Sequence, residues 1–282
     1  MVVCYQGEPG SFSEEAARHC FGRSAKLVPC ENFRAVFRTV SRRQATAGIV
    51  PIENTVLGSI HQTYDLLLEH HLAIIGETQL RIRLNLLALP GTRPRDIRKI
   101  YSQPQALGQC EDFLRSLGDV EVHAFHDTAA AARMIREERM HDAAAIASAR
   151  AGRRHRLAVL RADVESHRQN YTRFIVIGRR AVRAVRNPRT SVVFAARDLP
   201  GALFKALAVF SLRDINLRKI ESRPLIGRPW QYLFYLDVDG SPDEARVTQA
   251  LEHLRELSIF VRVLGTYERA LTPTDRMARG RR

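Results

Sequence analysis

The run Asn170-Tyr171-Thr172-Arg173-Phe174-Ile175-Val176-Ile177-Gly178 decides how the long N-terminal part of the chain folds. It reads as an apolar strand with a hydroxyl, a guanidinium and an aromatic ring at its mouth. Successive side chains of an extended segment point to opposite faces. Thr172 and Phe174 therefore share one face, and Arg173 takes the other. Outward from this strand, the chain upstream alternates short apolar runs with amphipathic segments.

Residues 2–6 form the first apolar run, and Gly7-Glu8-Pro9-Gly10 breaks it. Ser11-Phe12-Ser13-Glu14-Glu15 then reads as a helix start, with Ser11 or Ser13 as cap and acids in the first turn. A strand, a Gly-rich loop and a helix N-terminus together offer backbone N–H groups to an anion. The pattern recurs. Residues 47–52 are a strand and 53–59 a loop. Residues 60–70 are a helix with Ile60, Tyr64, Leu67 and Leu68 on one face and Ser59 as cap. Further strands are expected at 72–76, 84–89, 99–102, 120–125 and 143–147. Pro104 opens a helix, and Asp127 and Ser148 cap two more. Such alternation implies an α/β fold with a largely parallel sheet. The elements are too many for one small sheet, so two lobes are expected: 1–77 with 169–178, and 78–161. The loops at the carboxyl ends of the strands converge on one cleft between them.

Residues 179–189 are a basic linker. Beyond it, strands at 190–195, 217–224, 232–238 and 259–267 are interleaved with helices at 201–212 and 243–257. The helices present Leu203, Leu207 and Phe210, and Val247, Leu251 and Leu254, on their apolar faces. Ile226-Gly227-Arg228-Pro229 ends the second of these strands. The order βαββαβ is the ferredoxin-like arrangement.

Composition excludes several classes. The net charge of +14 is carried by arginine dispersed along the chain, with lysine only at 26, 99, 205 and 219. No helix-turn-helix, zinc-finger or RNP-like motif accompanies it, so nucleic acid is not an expected partner. No apolar run approaches the ~20 residues of a membrane span, so no membrane partner is expected either. The N-terminus shows no basic segment followed by a cleavage site, and a secretory signal is not expected. Cys4, Cys20, Cys30 and Cys110 form no CxxC pair and no zinc spacing. They read as reduced thiols of a cytoplasmic protein, with no metal. The tail, 269–282, lacks apolar periodicity and is expected to be disordered.

Four stretches resemble, in order, the motifs of prephenate dehydratases. They are Gly7-Glu8-Pro9-Gly10-Ser11-Phe12-Ser13, Pro51-Ile52-Glu53-Asn54-Thr55 with Gly58-Ser59, Ser102-Gln103-Pro104-Gln105-Ala106, and Thr172-Arg173-Phe174. The C-terminal unit resembles the ACT regulatory domain. There Pro200-Gly201-Ala202-Leu203, Ile215-Asn216-Leu217 and Glu221-Ser222-Arg223-Pro224 look like phenylalanine-binding motifs. The resemblance covers about residues 3–268. It implies a two-lobed, periplasmic-binding-protein-like catalytic domain over 1–178 and an ACT domain over 190–268. Thr55 stands where the family often has serine. No helical chorismate mutase segment precedes Val2, so a bifunctional enzyme is not expected. Gly58-Ser59-Ile60-His61 and Tyr64-Asp65-Leu66-Leu67-Leu68 also resemble arogenate dehydratases, which leaves prephenate and arogenate both open as substrates.

The resemblance implies a cofactor-free lyase of phenylalanine biosynthesis. It removes carbon dioxide and the ring hydroxyl from prephenate and yields phenylpyruvate. It assigns catalysis to Thr172, flanked by Arg173 and Phe174. Ser11, Phe12, Ser13, Glu53, Asn54, Thr55, Gly58, Ser59, Gln105 and Asn170 are expected substrate contacts. Strand alternation leaves Arg173 two roles, receptor for the anionic substrate or partner of an acid such as Glu53. Asn54 is a turn residue or a contact, and Asn170 a strand cap or a contact. L-Phenylalanine is the expected allosteric effector, held by Gly201, Ala202, Leu203 and Asn216, with Glu221, Ser222, Arg223 and Pro224 as the wall. ACT domains are expected to pair into a homodimer or homotetramer. A ligand-binding sensor without catalysis is the rival class. Thr172-Arg173-Phe174 together with the ACT unit argues for the enzyme.

Overall fold

A computed structural model describes residues 1–182, 186–225, 227 and 231–270. The expected disordered tail beyond Ala270, and Ile226, Arg228 and Pro229, lie outside the described residues. In chain order the elements are β1 (Val2–Gln6), α1 (Phe12–Phe21), β2 (Lys26–Cys30), α2 (Phe33–Ser41), β3 (Ala47–Asn54), β4 (Gly58–Ser59), α3 (His61–Glu69), β5 (Ala73–Arg81), β6 (Asn85–Ala88), β7 (Lys99–Ser102), α4 (Pro104–Gln109), α5 (Glu111–Ser116), β8 (Glu121–Ala124), α6 (Thr128–Glu137), β9 (Ala143–Ala147), α7 (Ala149–His155), β10 (Ala158–Arg161) and β11 (Tyr171–Gly178). The C-terminal part adds β12 (Pro188–Ala196), α8 (Ala202–Ser211), β13 (Leu217–Pro224), β14 (Tyr232–Asp239), α9 (Ala245–Leu257) and β15 (Ser258–Glu268).

Two compact units form. The first is Met1–Thr63 with Thr78–Phe174; the second is Tyr64–Glu77 with the described residues from Ile175 on. The sequence reading counted 64–77 with lobe one. Their packing assigns them differently, because α3 and β5 present apolar residues that the C-terminal elements cover. Tyr64 stacks edge-on against Tyr235 at 4.8 Å. Arg262 donates to the carbonyls of Leu68 (3.2 Å) and His70 (2.9 Å), the open C-terminal end of α3.

Three sheets carry the fold: β2-β1-β3-β11-β5 with β4 on β3, β10-β6-β9-β7-β8, and β13-β14-β12-β15. In the first, β1 runs parallel to β2 and to β3. The second is mixed rather than largely parallel. β7 is parallel to β8 and β9, but β6 is antiparallel to β9 and β10. The cause is that β6 enters this sheet straight from β5, with no crossover helix. Leu84, Leu86, Ile100 and Ile146 fill a core on one side of this sheet. Leu87, Ala129, Ala132, Ile135 and Leu157 fill one on the other. Inward alternation of short residues lets α6, with its Ala129–Ala132 run, lie close to β9. In the C-terminal sheet all paired strands are antiparallel. Phe194, Phe210, Leu236, Val247, Leu251 and Leu254 form its core beneath α8 and α9.

Two regions of the first unit are held together across the loop that follows β1. Glu8 accepts from the Arg133 Nε and Nη2 atoms at 2.8 Å each, and Glu14 accepts from Arg150 at 2.9 and 3.1 Å. Ser148 Oγ donates to the Gly10 carbonyl at 2.7 Å. Gly10 has φ +103° and a Cβ there would lie 3.0 Å from the Ala151 backbone, so only glycine permits this approach. Burial pushes the Glu14 carboxyl up, but the Arg150 hydrogen bonds, the Gly10 N–H and the Arg150 and Arg154 charges bring it below its usual value of 4.5. A depressed carboxylate contributes stability that is whole above its unfolded value and is lost as pH falls through the folded one. Arg150→Gln leaves burial as the dominant influence on Glu14. Its acid-unfolding midpoint should therefore move to higher pH, with little change near neutrality beyond the lost pair. Circular dichroism across the acid range checks this, and an unmoved midpoint contradicts it.

Candidate active site

A cavity of about 660 Å³ opens within the first unit, lined from both of its sheets. Alternation along β11 works as the sequence reading requires. Thr172 and Phe174 line the cavity, while Arg173 turns to the other face and is 6% exposed. There its Nη2 lies 3.5 Å from Glu53 Oε2. Neither Arg173 nor Glu53 lines the cavity.

Thr172 is held by a chain of amides whose polarity can be followed atom by atom. Asn54 Oδ1 accepts from the Val56 and Leu57 N–H groups at 2.8 and 2.9 Å. That settles which end of the Asn54 amide is the nitrogen. Its Nδ2 then donates to Asn170 Oδ1 (2.7 Å) and to Thr172 Oγ1 (2.9 Å). Asn170 Nδ2 in turn donates to Gln109 Oε1 at 2.9 Å. Since Thr172 Oγ1 accepts from Asn54, its own hydrogen remains to be donated. Since Gln109 Oε1 accepts from Asn170, its amide nitrogen remains as a donor. Thr172 and Gln109 both line the cavity, so the network ends at it in two residues that each keep a donor.

The other expected contacts divide. Phe12, Ser13, Asn54, Gly58, Ser59 and Gln105 line the cavity; Ser11, Glu53, Thr55 and Asn170 do not. Ser11 Oγ is used as the α1 cap, accepting from Glu14 N–H at 3.3 Å. Thr55 Oγ1 donates to the Gln169 carbonyl and accepts from Tyr171 N–H, which pins the loop after β3 to the start of β11. Asn170 is buried and acts through its two amide neighbours. Ser59 pairs with Glu53 in the short β4, and α3 starts two residues later, at His61. At α4 no side chain caps the helix, and Pro104 stands in the first turn. Asp127 Oδ1 caps α6 by accepting from Ala129 and Ala130 N–H at 2.8 and 3.0 Å.

Sequence reasoning passed over Gln109, and with it Gln6, Gln62 and Gln103 as lining residues. A buried glutamine at a helix end is the only local hint for Gln109, and it does not say what lies opposite. Among the described residues no lysine or arginine lines the cavity, and Glu31 is its one ionised side chain. The other polar lining groups, the glutamine and threonine side chains and the amides at helix starts, are neutral.

In the second unit, Gly201 is the left-handed residue before α8 (φ +75°), and Ala202 opens the helix, with Leu203 packed against the core. Asn216 Nδ2 donates to Asp239 at 3.4 Å, a long contact, and Arg218 pairs with the same carboxylate at 2.7 Å. Glu221 lies 3.6 Å from Lys219, and Arg223 binds Asp65 of α3 with both nitrogens at 2.8–3.3 Å. Ser222 and Pro224 occupy outward positions of β13.

Comparison with known proteins gives a consistent result. Residues 3–182 match the family model described as prephenate dehydratase, and residues 190–256 match the ACT domain. The chain is similar to arogenate dehydratase/prephenate dehydratase 2, chloroplastic, of Arabidopsis thaliana, at 44% identity over 94% of this chain and 72% of that one. It is similar to arogenate dehydratase 2 of Petunia hybrida at 44% identity over 94% and 71%. Among solved structures, a prephenate dehydratase from Arthrobacter aurescens in complex with L-Phe matches with TM-score 0.88 at 33% identity, covering 95% of this chain and 90% of that one. A chain described as GqqA, a novel type of quorum quenching acylase, matches with TM-score 0.87 at 31% identity, covering 97% and 99%.

Proposed function

This chain belongs to the prephenate dehydratase family and carries an ACT domain, and on that premise we propose how its cavity works. The family activity is that of a lyase, a dehydratase of phenylalanine biosynthesis. In the proposed reaction the bond from the ring to its carboxylate breaks and carbon dioxide leaves. Its electron pair enters the ring, the ring C–O bond breaks, and the hydroxide departs with one proton as water. Prephenate gives phenylpyruvate; arogenate gives phenylalanine. Aromatisation supplies driving force, so the site needs no strong nucleophile.

The observation that carries this reading is the Asn54–Thr172 hydrogen bond, which leaves the Thr172 hydroxyl hydrogen as a donor toward the cavity. A neutral threonine is a weak acid. It serves by donating a positioned hydrogen bond, or relaying a proton, to the departing hydroxyl. Fixed donors aimed at developing charge are among the largest catalytic effects. Gln109 offers its amide nitrogen to a substrate carboxylate. Phe12 and Phe174 keep water from the carboxylate that leaves. Arg173 and Glu53 support the β3–β11 wall from behind it. The net charge of +14 adds a field that draws in an anion.

We assign catalysis to 1–178 and regulation to 190–268. L-Phenylalanine is the proposed effector, at Gly201, Ala202, Leu203 and Asn216, with residues 221–224 as the wall. The Arthrobacter relative in complex with L-Phe supports this. ACT domains of two or four copies associate in this reading, which the exposed Phe204 (75%) and Leu212 (80%) favour. A cytoplasmic location rests on four free cysteines, though the Arabidopsis relative is described as chloroplastic. No helix of the described residues is long and apolar enough to cross a membrane.

An acylase activity, named in the GqqA description, is not favoured. Acyl transfer needs a nucleophile with an adjacent base, and among the described residues no histidine, lysine or cysteine lines this cavity. The test is turnover of prephenate and arogenate by the full chain, followed by phenylpyruvate absorbance and by phenylalanine formation, with and without millimolar phenylalanine. Turnover of neither substrate overturns the enzymatic reading. Turnover that phenylalanine leaves unchanged, with no heat of binding, overturns the effector.

A further inference from the structure

We propose that Glu31 receives the ammonium group of an amino-acid substrate, so that the cavity selects arogenate over prephenate. The inference rests on the dehydratase reading of the cavity. The two candidate substrates share the ring, its hydroxyl and both carboxylates. They differ at one carbon, which bears a keto oxygen in prephenate and an ammonium group in arogenate. Prephenate is a dianion; arogenate carries one net negative charge.

The lining is unusual for a dianion. Among the described residues it holds no lysine, arginine or histidine, and its one ionised side chain is the carboxylate of Glu31. An unpaired carboxylate repels the keto acid and attracts the amino acid. Glu31 has no ion-pair or hydrogen-bond partner among the described residues, although its backbone is fixed on both sides. Before it, the Cys30 carbonyl accepts from Gly7 N–H at 2.9 Å. After it, Asn32 Oδ1 accepts from Ala35 N–H at 2.9 Å and caps α2. Two other acids described near the β1 loop are paired, Glu8 with Arg133 and Glu14 with Arg150. Glu31 is thus an exposed side chain on an anchored stretch of backbone, unmatched among the described residues, at a cavity whose other described polar lining groups are neutral. The neutral donors suit the carboxylates and hydroxyl that both substrates possess. Glu31 suits the one group that only arogenate possesses, and the ammonium takes no part in the bonds that break.

The test is kcat/KM of the full chain for arogenate and for prephenate, in wild type, Glu31→Gln and Glu31→Asp. Wild type should prefer arogenate. Glu31→Gln keeps the shape and removes the charge. It should lower kcat/KM for arogenate by about tenfold, the scale of a charge-assisted hydrogen bond at an exposed position, while prephenate turnover stays level or rises. Glu31→Asp keeps the charge and should keep the preference. A merely solvated rim glutamate would leave the ratio of the two substrates unmoved in Glu31→Gln, and that outcome overturns the inference. Equal loss for both substrates overturns it as well. A wild type that turns over prephenate without preferring arogenate overturns it while sparing the dehydratase reading. A wild type inactive on both ends the two readings together.

Discussion

Valine in place of Thr172 should lower kcat by about 10²–10⁴-fold, the range of a positioned proton donor, with the fold intact. Valine matches threonine in shape and lacks only the oxygen, so packing in β11 is kept. What is lost is the acceptor for one Asn54 N–H and the donor toward the cavity. Two measurements separate these losses. Thr172→Ser restores the hydroxyl and should recover much of the rate. Asn54→Leu leaves the hydroxyl in place but frees its orientation and unpairs Asn170, so it should lower kcat by less than Thr172→Val does. KM should change little for Thr172→Val if the hydroxyl acts on the leaving group in the transition state. A Thr172→Val enzyme with near-wild-type kcat removes the assignment.

Arg189→Met should destabilise the chain by about 3–5 kcal/mol, the usual cost of breaking a buried ion pair from one side. Arg189 Nη1 donates to both oxygens of Glu77, at 2.8 and 3.0 Å, with side-chain exposures of 6% and 0%. Glu77 also accepts from Ala270 N–H at 2.9 Å. One carboxylate of β5 therefore holds the start of β12 and the end of β15. Removing the guanidinium takes two charge-assisted hydrogen bonds from a fully buried carboxylate. The double variant Arg189→Met, Glu77→Met removes the carboxylate together with its guanidinium and should be more stable than Arg189→Met alone. Thermal unfolding of the three proteins decides it. A melting temperature within a degree of wild type for Arg189→Met, or a double variant less stable than the single, contradicts the claim.

Much of this fold can be read from local signals. The caps Ser11, Asp127 and Ser148, the strand at Lys99–Ser102 and the whole βαββαβ series lie where residue type and period put them. Two omissions differ in kind. Helix α2 has Phe33, Val36, Phe37 and Val40 at helical spacing and Asn32 as cap, so its signal is present. Strand β2, Lys-Leu-Val-Pro-Cys, is a half-exposed edge strand with an internal proline, and nothing local distinguishes it from a loop. Residues 64–77 show a third case. Their helical and strand periods are legible, but which unit covers their apolar faces is not.

The site divides along the same line. That Thr172 and Phe174 look one way and Arg173 the other follows from the sequence alone, because side-chain alternation is a property of consecutive residues in any strand. Sequence also suffices for the helix starts that offer amides to an anion. What stands across from Thr172 was decided by tertiary structure. Asn54 reaches it from 118 positions away, and Gln109 joins through Asn170 from 61. Hydrogen bonds over such separations depend on which strands the sheet brings side by side, and no period or cap encodes that. The same holds for Glu31: its charge is written in the sequence, but its place as the one ionised side chain among the described residues of the cavity exists only after β2 has paired beside β1.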